Sequence, residues 1–397
     1  MTKLHGRRLY AALLISGAGT LVTMGLALSL LMIGSVIGPF RLFARDTTIA
    51  THGLGLWILP SSESAAPLTR ERRLAAWRDV ASDTAEILVV RSLSDLAERG
   101  VRVVAVPNAL ALSDSESRQL EGFLASGGGV ILTGAFGVLD GQGRPRGTGA
   151  MQRLLRVPRV TLSPRGAAPA LTSHRRGPLA AALAPGQQLA LAPDPLLPGI
   201  DDPSADLVWL RDPESGTGDS ASRRLDVGAG RLVWLAAEPA EIANAALDAE
   251  ARDGRRLLAA AYAWAAREPF AEVLAAKPAR GQEQLDPAAW LRLRERVAVR
   301  VERIGPHRSL VEVTNRDGAA WADLLLRVHL NTPTQDVEVG RTTLQQAKPE
   351  LSFDWARNRV DVRLPQLAAR ASRAYTFDIA PLPAGALEED PKRKEAS

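Results

Sequence analysis

The stretch VRVVAVPNALALSDSESRQLEGFLASGGGVILTG, Val101 to Gly134, decides the fold. It opens on a run that is β-branched on both faces, the mark of a strand buried on both sides. Ser113 follows as an N-cap, with Glu116 three residues on, a capping box. Leu120, Phe123 and Leu124 make the apolar face of a helix. Gly127, Gly128 and Gly129 end that helix, and VILTG is a second buried strand. Strand, helix and strand at this spacing predict a parallel sheet with helices on its faces.

The same rhythm extends outward. GLGLWILP (Gly53–Pro60) reads as a strand, LTRERRLAAWRDVA (Leu68–Ala81) as a helix, AEILVVRS as a strand and LSDLAERG as a short helix closed by Gly100. From Gly141 to about Gly230 the pattern weakens into Pro-, Gly-, Asp- and Ser-rich loops, with short strands at Gln188–Ala192 and Leu207–Arg211. GRLVWLAAEP (Gly230–Pro239) restores a strand, and ARDGRRLLAAAYAWAARE (Ala251–Glu268) is an amphipathic helix. From Trp290 the period changes to two. VAVRVERI, DLLLRVHLN, NRVDVRLP and AYTFDI alternate apolar and polar residues, as half-buried strands of an antiparallel β-sandwich do.

Near the N-terminus no charged residue occurs from Tyr10 to Phe40. As a helix this span is about 46 Å long, against a hydrocarbon core of about 30 Å. Lys3, Arg7 and Arg8 precede it, which favours a cytoplasmic N-terminus and export of the chain beyond Phe40. A cleaved signal peptide is the rival, but its apolar region is shorter, about 7–15 residues, and ends at a small-x-small site. The expected class is α/β: an N-terminal transmembrane helix, a parallel-sheet domain and a C-terminal antiparallel β-sandwich. The expected segments are a cytoplasmic N-terminus and anchor over 1–46, the α/β domain over 47–275, a linker over 276–289, the β-sandwich over 290–382 and a disordered tail over 383–397. The expected location is a bacterial inner membrane, crossed once, with the bulk of the chain in the periplasm.

Composition excludes several chemistries. The 397 residues contain no cysteine, so disulfides, thiolate nucleophiles and Cys-based metal sites are absent. The five histidines stand at no metal-ligand spacing. The net charge is +5, but 49 basic and 44 acidic residues are interspersed, without the basic and aromatic interleaving of a nucleic-acid surface. The glycine run precedes its strand and lacks the phosphate-binding spacings. No metal, no cofactor and no nucleic-acid partner is expected.

The run from Val101 to Gly134, with its P-N after the strand, the LS opening an acidic helix and GGG before the next strand, resembles the class I glutamine-amidotransferase-like fold. It is most similar to the non-catalytic branch found as the trimerisation domain of some β-galactosidases and in envelope proteins. GRLVWLAAEP and the helix ending in WAAREP look like the closing elements of that domain. The catalytic branch needs a cysteine at a G-x-C-x-G corner and a histidine after a late strand. Here the corner is TGAFG, with Ala135 at the cysteine's place, and the late run AEPAE puts Glu238 where the histidine would stand. The resemblance thus implies no catalytic residue and not an enzyme, but a pseudoenzyme scaffold or ligand-binding subunit of a cell-envelope machine. Its partners would be membrane or periplasmic proteins of an exopolysaccharide system, with a polysaccharide as ligand and an oligomer compatible.

Two other readings stand beside it. One is a glycan hydrolase working through carboxylates; the other is an auxiliary subunit of an ABC transport system. In a parallel sheet, ligands bind outside the carboxyl ends of the strands. The ligand-crevice candidates are therefore Asn108, Gly134, Ala135, Glu238 and Glu241. Trp321 and Trp355 are the sugar-stacking candidates at the surface. Asp201, Asp202 and Asp206 could gather calcium, but they lack the EF-hand spacing and read better as a surface turn.

Overall fold

In the computed structural model, residues 53–63, 70–81, 84–94, 96, 99–163, 170–174, 177–183, 188–190, 196–210, 219–240, 248–278, 296–342 and 349–382 are described. The expected anchor (1–46) and tail (383–397) lie outside them. Among the described residues no helix is long and apolar enough to cross a membrane.

The strands in chain order are β1 (Gly53–Trp57), β2 (Glu86–Val90), β3 (Val103–Val106), β4 (Gly129–Thr133), β5 (Val160–Ser163), β6 (Ala170–Ser173), β7 (Gln188–Ala190), β8 (Leu197–Ile200), β9 (Leu207–Leu210), β10 (Ser222–Val227) and β11 (Gly230–Leu235). The helices are α1 (Pro60–Glu63), α2 (Arg70–Ala81), α3 (Asp114–Ala125), α4 (Gly149–Leu155) and α5 (Asp248–Ala265). A six-stranded sheet has the order β10-β11-β4-β3-β1-β2. Its pairs are parallel except for the β10–β11 hairpin at one edge. Every residue of β3, β4 and β11 is buried, which is why these strands read as continuous apolar runs. Ser113 caps α3 through the expected box with Glu116.

Two glycines let helices reach the sheet. A Cβ on Gly129 would lie 2.6 Å from the Ala265 carbonyl oxygen at the end of α5, and one on Gly230 would lie 2.2 Å from the Leu124 carbonyl oxygen in α3. A larger residue at either place would push a helix end off the sheet. Within the loop-rich middle of the chain, β7-β6-β9 and β5-β8 form small antiparallel sheets. Of these, β5, β6 and β8 are strands where the sequence pattern predicts loop.

Beyond Phe270 all pairing among the described residues is antiparallel. β12 (Phe270–Pro278), β13 (Val297–Arg303), β14 (Arg308–Asn315), β15 (Trp321–His329), β16 (Thr334–Arg341), β17 (Glu350–Asp354), β18 (Arg359–Leu367) and β19 (Ser372–Pro381) form two four-stranded sheets, β12-β15-β18-β17 and β13-β14-β19-β16. Both sheets contribute to one core, with Leu326, Val328 and Val362 from the first and Val311, Val313 and Phe377 from the second. The α/β part has its own core. The expected boundary at 275/276 falls inside β12, which pairs with β15 from Phe270 onward. The chain enters the second core directly after α5.

Trp321 corrects an expectation at once. It is 7% exposed and belongs to the second core, so it is no surface platform. Asp323, at φ 51°, breaks the alternation of β15 and turns Trp321 to the same side as Leu324 and Leu326.

Candidate functional site

The carboxyl edge of the parallel sheet holds the residues that the sequence singled out. Gly134 follows β4 with φ 65°, a left-handed turn that glycine adopts without strain. Its N–H donates to the Leu235 carbonyl, and its own carbonyl accepts from Trp234 Nε1 at 3.0 Å. Asn108 follows β3; its N–H donates to Thr133 Oγ1 at 3.1 Å, and its Oδ1 lies 3.0 Å from where a Gly134 Cβ would stand. Glu238 follows β11 and accepts from Trp77 Nε1 of α2. The structure thus brings Asn108, Gly134, Ala135 and Glu238 to one edge. Their exposures show what kind of edge it is: Asn108 and Glu238 are each 4% exposed and Ala135 1%. Trp77, itself buried, covers Glu238. Glu241 lies outside the described residues.

Asp202 opens a turn through Pro203 and Ser204, as expected, but its carboxylate and that of Asp206 are buried. Asp202 pairs with Arg223 at 2.6 Å and Asp206 with Arg224 at 2.9 Å. Two arginines of β10, a strand with no signature in the sequence, neutralise these carboxylates.

A second place is open. A cleft of about 750 Å³ lies between the α/β core and the two-sheet core. On the α/β side its wall is Trp264, near the end of α5, with Arg224 and Arg231 from the β10–β11 hairpin. The Arg231 guanidinium carbon lies 4.7 Å from the centroid of the Trp264 ring, and that of Arg224 lies 5.6 Å from it. Arg231 also ties the two cores together. Its Nη1 donates to the Trp264 carbonyl at 2.9 Å and to the Asn331 carbonyl, while Nε bonds Asp226 at 3.0 Å.

On the other side, two asparagines shape the rim. Asn331 and Asn358 have φ 55° and 50°, a left-handed conformation that asparagine tolerates better than most residues. Asn331 Nδ2 donates to the Glu268 carbonyl at 2.8 Å, and Asn358 Nδ2 donates to the Thr332 carbonyl. Trp355, Arg357 and Arg359, flanking Asn358, line the cleft. Trp355 is 37% exposed, the one exposed large apolar side chain among the described residues, and its ring stacks on Phe353 at 5.0 Å and 7°. Arg357 and Arg359 both pair with Asp354, at 3.3 and 2.8 Å. On the same wall His329 Nε2 meets Glu272 Oε1 at 3.0 Å.

Electrostatics mark the cleft as cationic. Burial, followed by the neighbouring Arg267, holds the Arg231 guanidinium below its usual range, against the pull of Asp226. Burial and then Arg327 do the same to Arg359. Arg327 itself is raised, first by its hydrogen bond to Asp361. Of the residues that line the cleft, only Trp355 and Asp206 stood among the sequence candidates, Asp206 for calcium rather than for a ligand of this kind. The signal for the cleft was WARNR (355–359), an aromatic, two cations and an amide in five residues.

No family model matches the chain, and no curated protein matches it. Solved structures do. A β-galactosidase from Bacillus circulans sp. alkalophilus is 13% identical with a TM-score of 0.41, over 83% of this chain and 42% of that one. An α-L-fucosidase from Paenibacillus thiaminolyticus is 13% identical with a TM-score of 0.37, over 83% and 48%. A β-galactosidase from the haloarchaeon Halorubrum lacusprofundi is 15% identical with a TM-score of 0.39, over 83% and 40%. The chain spans less than half the length of each.

These matches correct the family drawn from the sequence. The solved structures similar to this chain are named as glycan-cleaving enzymes, not as amidotransferases. The inactive scaffold of the pseudoenzyme reading, and the expectation that the chain is not an enzyme, fall with that family. The resemblance rested on a strand–helix–strand rhythm that many parallel-sheet folds share, and a shared rhythm fixes neither family nor function. At these identities and scores no activity is carried across to this chain.

Proposed function

We propose that the chain acts on glycans and that its recognition site is the cleft between the two cores. The observation that carries this reading is the pairing of one exposed aromatic face with fixed polar donors in one concave space. Trp355 offers an exposed ring backed by Phe353, and on the facing wall the buried Trp264 ring holds Arg224 and Arg231 in place. A sugar ring presents C–H groups on its faces and hydroxyls at its edge, so it suits an aromatic platform rimmed by amide and guanidinium donors. The reading agrees with the glycan-cleaving activities named for the solved structures but does not rest on them. A titration of the full chain with neutral and acidic oligosaccharides tests it. Saturable binding that weakens in Trp355→Ala supports the reading, and no binding of any oligosaccharide contradicts it.

A second reading, cleavage of the bound glycan, is favoured by the His329–Glu272 pair on the cleft wall. A carboxylate that orients an imidazole at a ligand site is a common arrangement for general acid–base work. Glu238, the carboxylate suggested by the sequence, is engaged by Trp77 and buried at the other site. Sugar release by the wild type that is lost in a normally folded His329→Gln variant would establish cleavage.

The location belongs to the same proposal. The uncharged span from Tyr10 to Phe40, with Lys3, Arg7 and Arg8 before it, would anchor the chain in the inner membrane of a bacterium and leave the cleft in the periplasm. There it would meet polysaccharide and other envelope proteins. Fusion of periplasm-only and cytoplasm-only reporters to the C-terminus checks this; activity of the cytoplasmic reporter would contradict it.

A further inference from the structure

We infer that the glycan taken by this cleft carries an anionic substituent, a carboxylate, sulfate or phosphate on the sugar, held by the guanidinium groups of Arg357 and Arg359. The inference rests on the glycan reading above and goes beyond it by naming the class of sugar.

The lining is unbalanced in charge. Arg224, Arg231, Arg357 and Arg359 face the cleft, and Asp206 is the only carboxylate in its lining among the described residues. Asp206 is already committed, with one oxygen accepting the Leu179 N–H and both reached by Arg224. Asp354, just outside the lining, is shared by Arg357 and Arg359, so one negative charge serves two cations. Across the cleft Arg231 has Asp226, whose carboxylate is 64% exposed and screened by water. The cationic side is therefore the rim formed by Arg357 and Arg359.

The two guanidiniums there are prepared in different ways. Arg359 is 11% exposed, and its Nε has no hydrogen-bond partner among the described residues. That Nε is buried beyond a ligand's reach, so Arg359 contributes a charge fixed against Asp354 rather than a free donor. Arg357 is 67% exposed, so most of its five donors face water. A planar guanidinium matches the two oxygens of a carboxylate or the edge of a sulfate, and a fork contact of that kind is stronger than a neutral one. The crowding of Arg359 by Arg327 and of Arg231 by Arg267 points the same way, since an added anion stabilises both charged forms. Trp355, adjacent in sequence and in the lining, would hold the face of the sugar whose substituent the arginines take.

The test is calorimetric titration of the full chain in detergent with four probes: an oligouronate, a sulfated oligosaccharide, a neutral oligosaccharide of the same length, and inorganic phosphate. At least one acidic oligosaccharide should bind about tenfold more tightly than the neutral one, weakening as salt is raised. Which of the two binds identifies the substituent. Arg357→Gln, at an exposed position, should lower the acidic affinity about tenfold, clearly more than it lowers the neutral one, at a nearly unchanged melting temperature. Equal affinity for acidic and neutral oligosaccharides would overturn the inference and leave the glycan reading intact. So would acidic binding that survives both Arg357→Gln and Arg359→Gln. Phosphate alone binding as tightly as the acidic oligosaccharides would also overturn it, because the sugar would then contribute nothing. No binding of any oligosaccharide would overturn both readings.

Discussion

The carboxyl edge of the parallel sheet and the cleft between the two cores are built from similar residue types and serve opposite ends. At the edge, Trp77 caps Glu238, Trp234 caps the Gly134 carbonyl, and the side chains are sealed from water. In the cleft, Trp355 stands open and the arginines outnumber the carboxylates that line it. A parallel sheet usually offers its ligand site at the carboxyl ends of its strands. Here that place is filled by the protein's own tryptophans, and the open concave surface lies where a second core meets the first. Topology locates where a site can be; packing decides whether the place is left open.

Substitutions can break or sharpen that contrast. The largest effect is expected for Arg231→Ala, which strips the bond that joins Trp264 to Asn331 across the two cores. Loss of the buried guanidinium that bridges the Trp264 and Asn331 carbonyls should cost about 2–4 kcal/mol, read as a fall in the thermal midpoint. Gly134→Val comes next. A β-branched residue at φ 65°, with its Cβ 3.0 Å from Asn108 Oδ1, should cost about 2–3 kcal/mol. Ligand binding per folded molecule should stay unchanged, because the edge is structural in this account. Glu238→Gln keeps the shape but weakens a charge-assisted bond to Trp77, an expected loss of about 1–2 kcal/mol in chemical denaturation with no change in glycan affinity. Trp355→Ala reverses the pattern. Its stability should move by less than about 0.5 kcal/mol, since the ring is a surface group, while glycan affinity falls about three- to tenfold.

The edge is legible in the sequence and the cleft is not, for physical reasons. The buried strands β3, β4 and β11 are local runs of apolar residues, and the α3 cap lies within four residues of sequence, so short windows reveal them. The β15, β18 and β19 alternation is local as well. By contrast β10 reads SRRLDV, with arginines and an aspartate on an edge strand, and nothing in that run speaks for a strand until β11 is beside it. The inward turn of Trp321 depends on the backbone of Asp323, which leaves no mark in an apolar pattern. The cleft gathers residues from Gly177 to Arg359. Arginines are common along this chain, and nothing local separates those that meet Trp264 from those that face water. The family assignment fails for a related reason, since it rests on the rhythm of elements rather than on a site.

The central claim is that the cleft, not the sheet edge, meets the ligand. The most direct measurement is glycan binding to the full chain by calorimetry in two variants side by side, Trp355→Ala and Glu238→Gln, with melting curves for both. The account expects weakened binding at nearly unchanged stability in Trp355→Ala, and unchanged binding at reduced stability in Glu238→Gln. Binding lost in a normally folded Glu238→Gln and retained in Trp355→Ala would contradict it.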